Sequence, residues 1–315
     1  MILASCVAVV GMGLLAVAGN LVVLGLGALL LGATEAVYSL ARQSYLTESV
    51  PVLMRARALS TLGGVHRIGL FIGPFAGAAI VHLTSLTPSI YLLGVATSIL
   101  AAIVVGVATD PDPRRKERDR PTALLAVVRE HRHTLSTLGV AVLLVGAMRG
   151  ARMTVVPLWA EHLDLGAATT SLVFGIAGGI DMLLFYPAGK VMDLKGRRWV
   201  AIPSMLIMGI AMVLIPLTST VAGLTAAALL LGFGNGIGSG VIMTLGADTA
   251  PPRERAQFLG AWRLLADLGN AGGPLIVSAG AAIGSIALGI AAMGPIAGAT
   301  AAALVRWVPA HKGGP

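Results

Sequence analysis

The sequence predicts an all-α integral membrane protein, a bundle of ten hydrophobic helices, and three observations carry that reading. The 315-residue chain is 56% hydrophobic and only 11% charged, with a mean hydropathy of +0.88, whereas a soluble domain carries about a quarter charged residues. Its apolar residues arrive in continuous blocks of about 20, the length that crosses a ~30 Å hydrocarbon core. Its Lys and Arg residues sit mainly in alternate loops between those blocks. A water-soluble enzyme, a nucleic-acid-binding module and a disordered tail are all excluded. The net charge of +8 and the pI near 10.4 therefore reflect basic loops that set topology, and no nucleic-acid partner is expected.

Taken in order, the blocks are 1–18, 21–46, 58–83, 88–108, 136–160, 168–187, 199–217, 221–247, 256–281 and 284–306. They are unbroken apolar runs, which reads as helix rather than as the ten-residue alternation of a membrane strand. The 41 glycines suit helices packed closely through small residues. The first block lacks a basic leader and nine more follow, so it reads as a span and not as a cleaved signal. The single cysteine, Cys6, lies inside that block. No Cys/His pattern has metal-ligand spacing, and no metal or cofactor is expected.

With Met1 placed in the cytoplasm and the sides alternated, the cytoplasmic segments hold Arg55 and Arg57, the basic run from Arg114 to Arg132, Lys190 to Arg198, Arg253 and Arg255, and Arg306 and Lys312. Arg42, Arg67, Arg149, Arg152 and Arg263 fall inside spans, and none of the 22 Lys and Arg is left for the outer loops. Basic loops remain on the cytoplasmic side, so both termini are expected there, in the cell's cytoplasmic (inner) membrane. The long polar stretch 109–135 opens with Asp110-Pro111-Asp112-Pro113 and reads as a cytoplasmic linker with a short surface helix at 121–132. It divides the chain into an incomplete four-span half (1–108) and a six-span half (136–308), with a cytoplasmic tail at 309–315.

The chain matches itself without gaps at an offset of 200. Residues 28–79 and 228–279 share 14 identities in 52, where this composition gives about five by chance. The shared positions include Gly69/Gly269, Gly73/Gly273 and Pro74/Pro274. Two pseudo-symmetric parallel halves joined by a linker are an architecture of secondary transporters. The first-half counterparts of 136–160 and 168–187 would precede Met1. The chain is thus expected to show ten spans of twelve, either as a real fragment or through a start codon placed too late.

Two motifs stand out. GKVMDLKGRR (189–198) lies in a short cytoplasmic loop, with glycines for a tight turn, an Asp able to face a helix N-terminus and arginines able to reach an acid nearby. GLFIGPFAGA (69–78) sets Gly69, Gly73 and Gly77 in one stripe, with Pro74 leaving a carbonyl free. The first resembles the signature loop of the major facilitator superfamily through Gly189, Asp193, Gly196, Arg197 and Arg198. The second resembles the fifth-helix pattern of that superfamily's drug and metabolite antiporters. The resemblance implies that Arg197 pairs with Asp248, and the repeat sets Glu48 opposite Asp248, with Glu48's own Arg before Met1. It also implies proton-coupled antiport with rocking-switch alternating access. The chain departs from the group at Ala28-Leu29-Leu30-Leu31-Gly32, where antiporters carry an Arg.

Ionisable groups inside a span cost about 2.5–3.5 kcal/mol each and call for a pair, a cavity or a role. Glu35 and Arg42 on 21–46, and Arg149 and Arg152 on 136–160, fall on helices that resemble the family's cavity-lining ones. Asn235 is the repeat counterpart of Glu35. These five are the expected substrate and proton pathway, although pairing between helices is the alternative for each charge. Arg67 lies about 15 Å inside its span and Asp181 about 12 Å inside its own by helical rise. Both belong to helices that resemble those meeting between the halves, so an Arg67–Asp181 pair is expected. Arg263 and Asp267, four apart, are expected to pair along one helix. His66, Met148, Trp159 and Trp262 are expected to pack. No phosphate loop or nucleophile elbow appears. The reading is a transporter, not an enzyme, that exports a small organic molecule against protons and is monomeric at full length. An importer or facilitator of a small, even anionic, solute and a non-transporting remnant are the alternatives.

Overall fold

The computed structural model describes residues 1–49, 52–85, 89–107, 124–251 and 254–309, with side chains at 39–40, 43–49, 52–64, 67, 124–125, 193 and 256 outside that description. Every regular element among the described residues is helical. The chain forms two compact units, Met1–Glu117 and Arg118–Pro315.

The first unit holds α1 (Ile2–Ala16), α2 (Leu21–Ser49), α3 (Val52–Thr84) and α4 (Ser89–Val107), with α1 packed on both α2 and α4. Small residues permit this approach: a Cβ at Gly27 would lie 2.9 Å from the Leu15 side chain and 3.0 Å from the Gly11 carbonyl. The Met12 thioether fills the space above Gly94, where a Cβ would meet it at 2.6 Å. Ser5 and Tyr38 share a hydroxyl–hydroxyl hydrogen bond across α1 and α2.

The second unit holds α5 (Leu124–Glu130), α6 (Arg132–His162), α7 (Ala167–Lys195), α8 (Arg198–Leu214), α9 (Val221–Ile237), α10 (Val241–Thr249), α11 (Arg255–Ile283), α12 (Ile286–Ala291) and α13 (Met293–Trp307). Its most extensive contact is α6 on α11. Gly146 and Gly150 of α6 face Gly269 and Gly273 of α11, each pair four residues apart. A Cβ would lie 1.9 Å from the Asn270 carbonyl at Gly150 and 2.1 Å from the Ala147 carbonyl at Gly273. Backbones this close need glycine on both helices, the small-residue packing of membrane helices. Met148, Met205, Met208, Met212 and Phe258 fill the core, and Leu183, Leu275 and Ile283 lie exposed on the outside, as side chains facing lipid do.

Each expected block is helical, and among the described residues seven helices are long and apolar enough to cross a membrane, with Ile2–Ala16 and Ile68–Thr84 as shorter apolar helices. The 29-residue α11 has the length but carries Arg263, Asp267 and Asn270. Two expectations change. The block 221–247 is not one helix: Gly238, Ser239 and Gly240 break it, with Gly240 at φ +81°, a conformation that glycine adopts without strain. The block 284–306 divides at Ala292, where Pro295 has no N–H to offer the Ala291 carbonyl. The short helix of the linker is present as α5, with Arg129 and Glu130 exposed and Val127 buried where α5 packs on α11.

Candidate functional site

The polar centre of the second unit is built on α6, α7 and α9. The glycine-rich run of α9 lets it touch α7 along the backbone: a Cβ at Gly232 would lie 2.3 Å from the Ala177 carbonyl, and one at Gly236 3.0 Å from the Asp181 Cα. That approach sets Asn235 beside Asp181, and Asn235 Nδ2 donates to Asp181 Oδ2 at 2.8 Å. From the third side, Arg152 brings its guanidinium 3.4 Å from the same oxygen. The Arg152 and Asp181 side chains are only 11% and 14% exposed, so the pair is enclosed. The Phe174 ring lies 5.9 Å from the Arg152 guanidinium carbon, close enough for a cation–π contact.

Arg149 stands one turn before Arg152 and donates to the Gly238 carbonyl at 2.7 Å. That carbonyl lies at the α9–α10 break. Irregular backbone at membrane depth needs such partners, because no water is there to replace the helical hydrogen bond. The flank of α6 that carries Gly146 and Gly150 is held by α11, which fixes the turn that presents both arginines. The centre therefore combines two guanidinium groups, one carboxylate and one carboxamide. With Asp181 ionised it carries one net positive charge.

At the start of α8, Arg197 donates from Nε to Asp248 Oδ2 at 2.8 Å and from its terminal nitrogen to Oδ1 at 3.2 Å. This is the two-point fork that arginine makes with a carboxylate. Gly196, at φ +96°, ends α7 and turns the chain straight into α8. Arg198 donates to the Val308 carbonyl at the end of α13. Gly189 lies in α7, with nothing within 4 Å of an added Cβ among the described residues. The side chain of Asp193 lies outside the described residues.

Other expected residues sit as follows. On α2, Arg42 pairs with Glu35 at 3.3 Å and donates from Nε to the Tyr38 carbonyl. Glu35 is 63% exposed, whereas Asn235, its repeat counterpart, is half-buried against Asp181. Arg263 and Asp267 pair at 3.6 Å along α11. Among the described residues, Gly69 and Gly73 of α3 have nothing within 4 Å of an added Cβ, and Gly77 only the tip of Ile90 at 4.0 Å. Pro74 lies inside α3. The side chains of Arg67 and Glu48 lie outside the described residues, while Asp181, expected with Arg67, meets Arg152 and Asn235. Met148, Trp159 and Trp262 are buried packing residues, and His66 is exposed.

Sequence reasoning missed several partners. Trp159 Nε1 donates to Thr218 Oγ1 at 3.0 Å, Ser204 Oγ to the Gly234 carbonyl at 2.7 Å, and Trp262 Nε1 to the Ile242 carbonyl at 2.9 Å. A grouping of Glu130, His131 and Glu254 was likewise not visible. The Arg152–Asp181 pair could have been found, since both were recognised as charges inside spans.

The family model of the Major Facilitator Superfamily matches residues 1–274 and, in a second match, 138–315. The chain belongs to the major facilitator superfamily. No curated protein matches it significantly. Among solved structures, it is similar to a transporter of the POT family in complex with a thioalcohol-conjugated peptide, with TM-score 0.74 and 12% identity, covering 98% of this chain and 80% of that one. It is similar to the human organic anion transporter MFSD10, with TM-score 0.65 and 16% identity over 96% and 76% of the two chains. A D-xylose–proton symporter gives TM-score 0.64 and 17% identity over 99% and 81%. At these identities the structures show the fold. Family membership makes the chain a multi-pass membrane transporter of a small solute, not an enzyme.

Proposed function

We propose that the chain is a proton-coupled secondary transporter of a small organic molecule bearing an anionic group, working by rocking-switch alternating access. The observation that carries this reading is the enclosed Arg152–Asp181–Asn235 cluster beside Arg149. While Asp181 is ionised it occupies the Arg152 guanidinium. A proton on Asp181 removes that charge and leaves Arg152 and Arg149 to hold a carboxylate or similar anion. Proton and solute then bind together and cross together, so an inward proton gradient drives uptake. The human neighbour's description as an organic anion transporter agrees with this reading. The membrane is the cytoplasmic membrane and both termini face the cytoplasm, which the placement of Lys and Arg supports.

A second reading, export of a drug or metabolite by proton antiport, is favoured by the α3 pattern of Gly69, Gly73, Pro74 and Gly77. There the gradient would deplete the solute instead of concentrating it. Ligand-induced thermal stabilisation of the purified chain, screened with small organic anions and size-matched cations, tests the assignment of the site. Anions should raise the unfolding temperature of the wild type and not of Arg152→Gln. Stabilisation by cations alone, or anion stabilisation unchanged in Arg152→Gln, would refute it.

A further inference from the structure

We propose that Glu130, His131 and Glu254 form a divalent-cation site of the zinc class, separate from the polar centre, that ties the α5–α6 joint to the start of α11. One ligand atom from each of the three residues lies within 4.8 Å of the other two. His131 Nε2 stands 3.3 Å from Glu254 Oε2, about the edge of a tetrahedron with metal–ligand bonds of roughly 2.0–2.1 Å. The third atom needs about 1.5 Å of closure to reach the same tetrahedron, within the swing of the exposed Glu130 side chain.

The backbone explains why neighbours in sequence converge. Side chains at i and i+1 of a continuous helix do not face each other. His131, between α5 and α6, leaves helical geometry at φ −98° and ψ 22°, which brings Glu130 and His131 to one point. Glu254 precedes α11 at φ −117°. One turn on, Phe258 sets its ring edge-on to the His131 imidazole at 5.5 Å and 88°. The imidazole is thus held from two sides before any ion arrives.

Charge points the same way. Glu130 makes no ion pair or hydrogen bond among the described residues, although Arg129 and Arg132 flank it. Two carboxylate ligands, one imidazole ligand and one divalent ion sum to zero charge. Two carboxylate oxygens and one imidazole nitrogen suit zinc, with a fourth position for water. The two anchoring segments are 123 residues apart in sequence, so a bound ion would staple the helix pair α6 and α11 at one end.

The test is a Co²⁺ titration of the full chain, tag-free and chelator-treated in detergent, read by visible d–d absorption and followed by Zn²⁺ displacement. One equivalent of Co²⁺ should give the spectrum, and Zn²⁺ but not Mg²⁺ should abolish it. Changes outside the ligand set already cost about 10–100-fold in affinity, so His131→Asn should cost at least about a hundredfold. Glu130→Gln, at an exposed position that leaves folding intact, should weaken Co²⁺ by more than about tenfold. His133→Asn should change nothing. Absence of a Co²⁺ spectrum, displacement by Mg²⁺, or a spectrum retained at full affinity in Glu130→Gln would overturn the proposal. Should His131→Asn fail to give a monodisperse peak, Glu130→Gln alone decides.

Discussion

Adding one methyl group at two repeat-related glycines should have opposite effects. Gly73 on α3 and Gly273 on α11 occupy the same place in the internal repeat. An added Cβ at Gly73 meets nothing within 4 Å among the described residues, whereas at Gly273 it lies 2.1 Å from the Ala147 carbonyl oxygen and 2.6 Å from the Ala151 nitrogen. An ordinary carbon–oxygen contact is about 3.3–3.6 Å, so Gly273→Ala must drive α6 and α11 apart by roughly 1.2 Å. Overpacking costs about 1–3 kcal/mol. A clash with backbone, which no side-chain rotamer relieves, falls at the upper end, so the gain in helix propensity, about 0.8–1.0 kcal/mol, offsets only part of it. At Gly73 only the gain remains. In a domain of 150–250 residues 1 kcal/mol moves Tm by about 2–4 °C. Thermal unfolding of the purified chain in detergent should therefore show Gly273→Ala lowered by several degrees and Gly73→Ala unchanged or slightly raised. Equal shifts, or a tolerated Gly273→Ala, would refute the backbone contact on which the α6–α11 pairing rests.

Three further outcomes follow from the same geometry. Arg197→Ala should cost only about 0–1 kcal/mol, because its pair with Asp248 is partly solvent-exposed. Its solute flux in proteoliposomes should nevertheless fall sharply if the pair holds one conformation of the transport cycle. Asp181→Asn removes the charge that occupies Arg152, so anion binding should persist while proton-driven accumulation is lost, read by thermal stabilisation and by flux in proteoliposomes. Trp159→Phe keeps the buried ring but loses the donor to Thr218, costing about 1–3 kcal/mol, checked by thermal unfolding.

Fold class was readable because it rests on composition and block length: a 30 Å hydrocarbon core leaves few alternatives for apolar runs of about 20 residues. The repeat was readable too, since Gly69-to-Pro74 and Gly269-to-Pro274 keep their spacing. Partners were harder. Arg197 and Asp248 could be paired because a family resemblance supplied the link across 51 residues. Asp181 was expected to meet Arg67 from matched depth and from the resemblance of their helices to ones that meet between the halves. The Arg67 side chain lies outside the described residues, and neither argument pointed to Arg152 or Asn235, because neither says which way a helix is turned. Rotation is set by backbone contacts such as Gly232 on Ala177 and Gly150 on Asn270, and these turn Asp181 toward Arg152. The break at Gly238–Gly240 was hidden for a related reason. Glycine inside an apolar block reads as packing, and only a left-handed Gly240 and a side-chain donor such as Arg149 show that the helix stops.

The central claim is that Arg152 and Asp181 couple a proton to an organic anion. Solute accumulation in proteoliposomes of the full chain under an imposed inward proton gradient tests it most directly, with labelled organic anions and matched cations supplied outside. The account predicts that an anion accumulates above equilibrium, that a protonophore collapses the accumulation, and that Arg152→Gln abolishes it. Accumulation of cations instead, or anion accumulation that survives both the protonophore and Arg152→Gln, would contradict it.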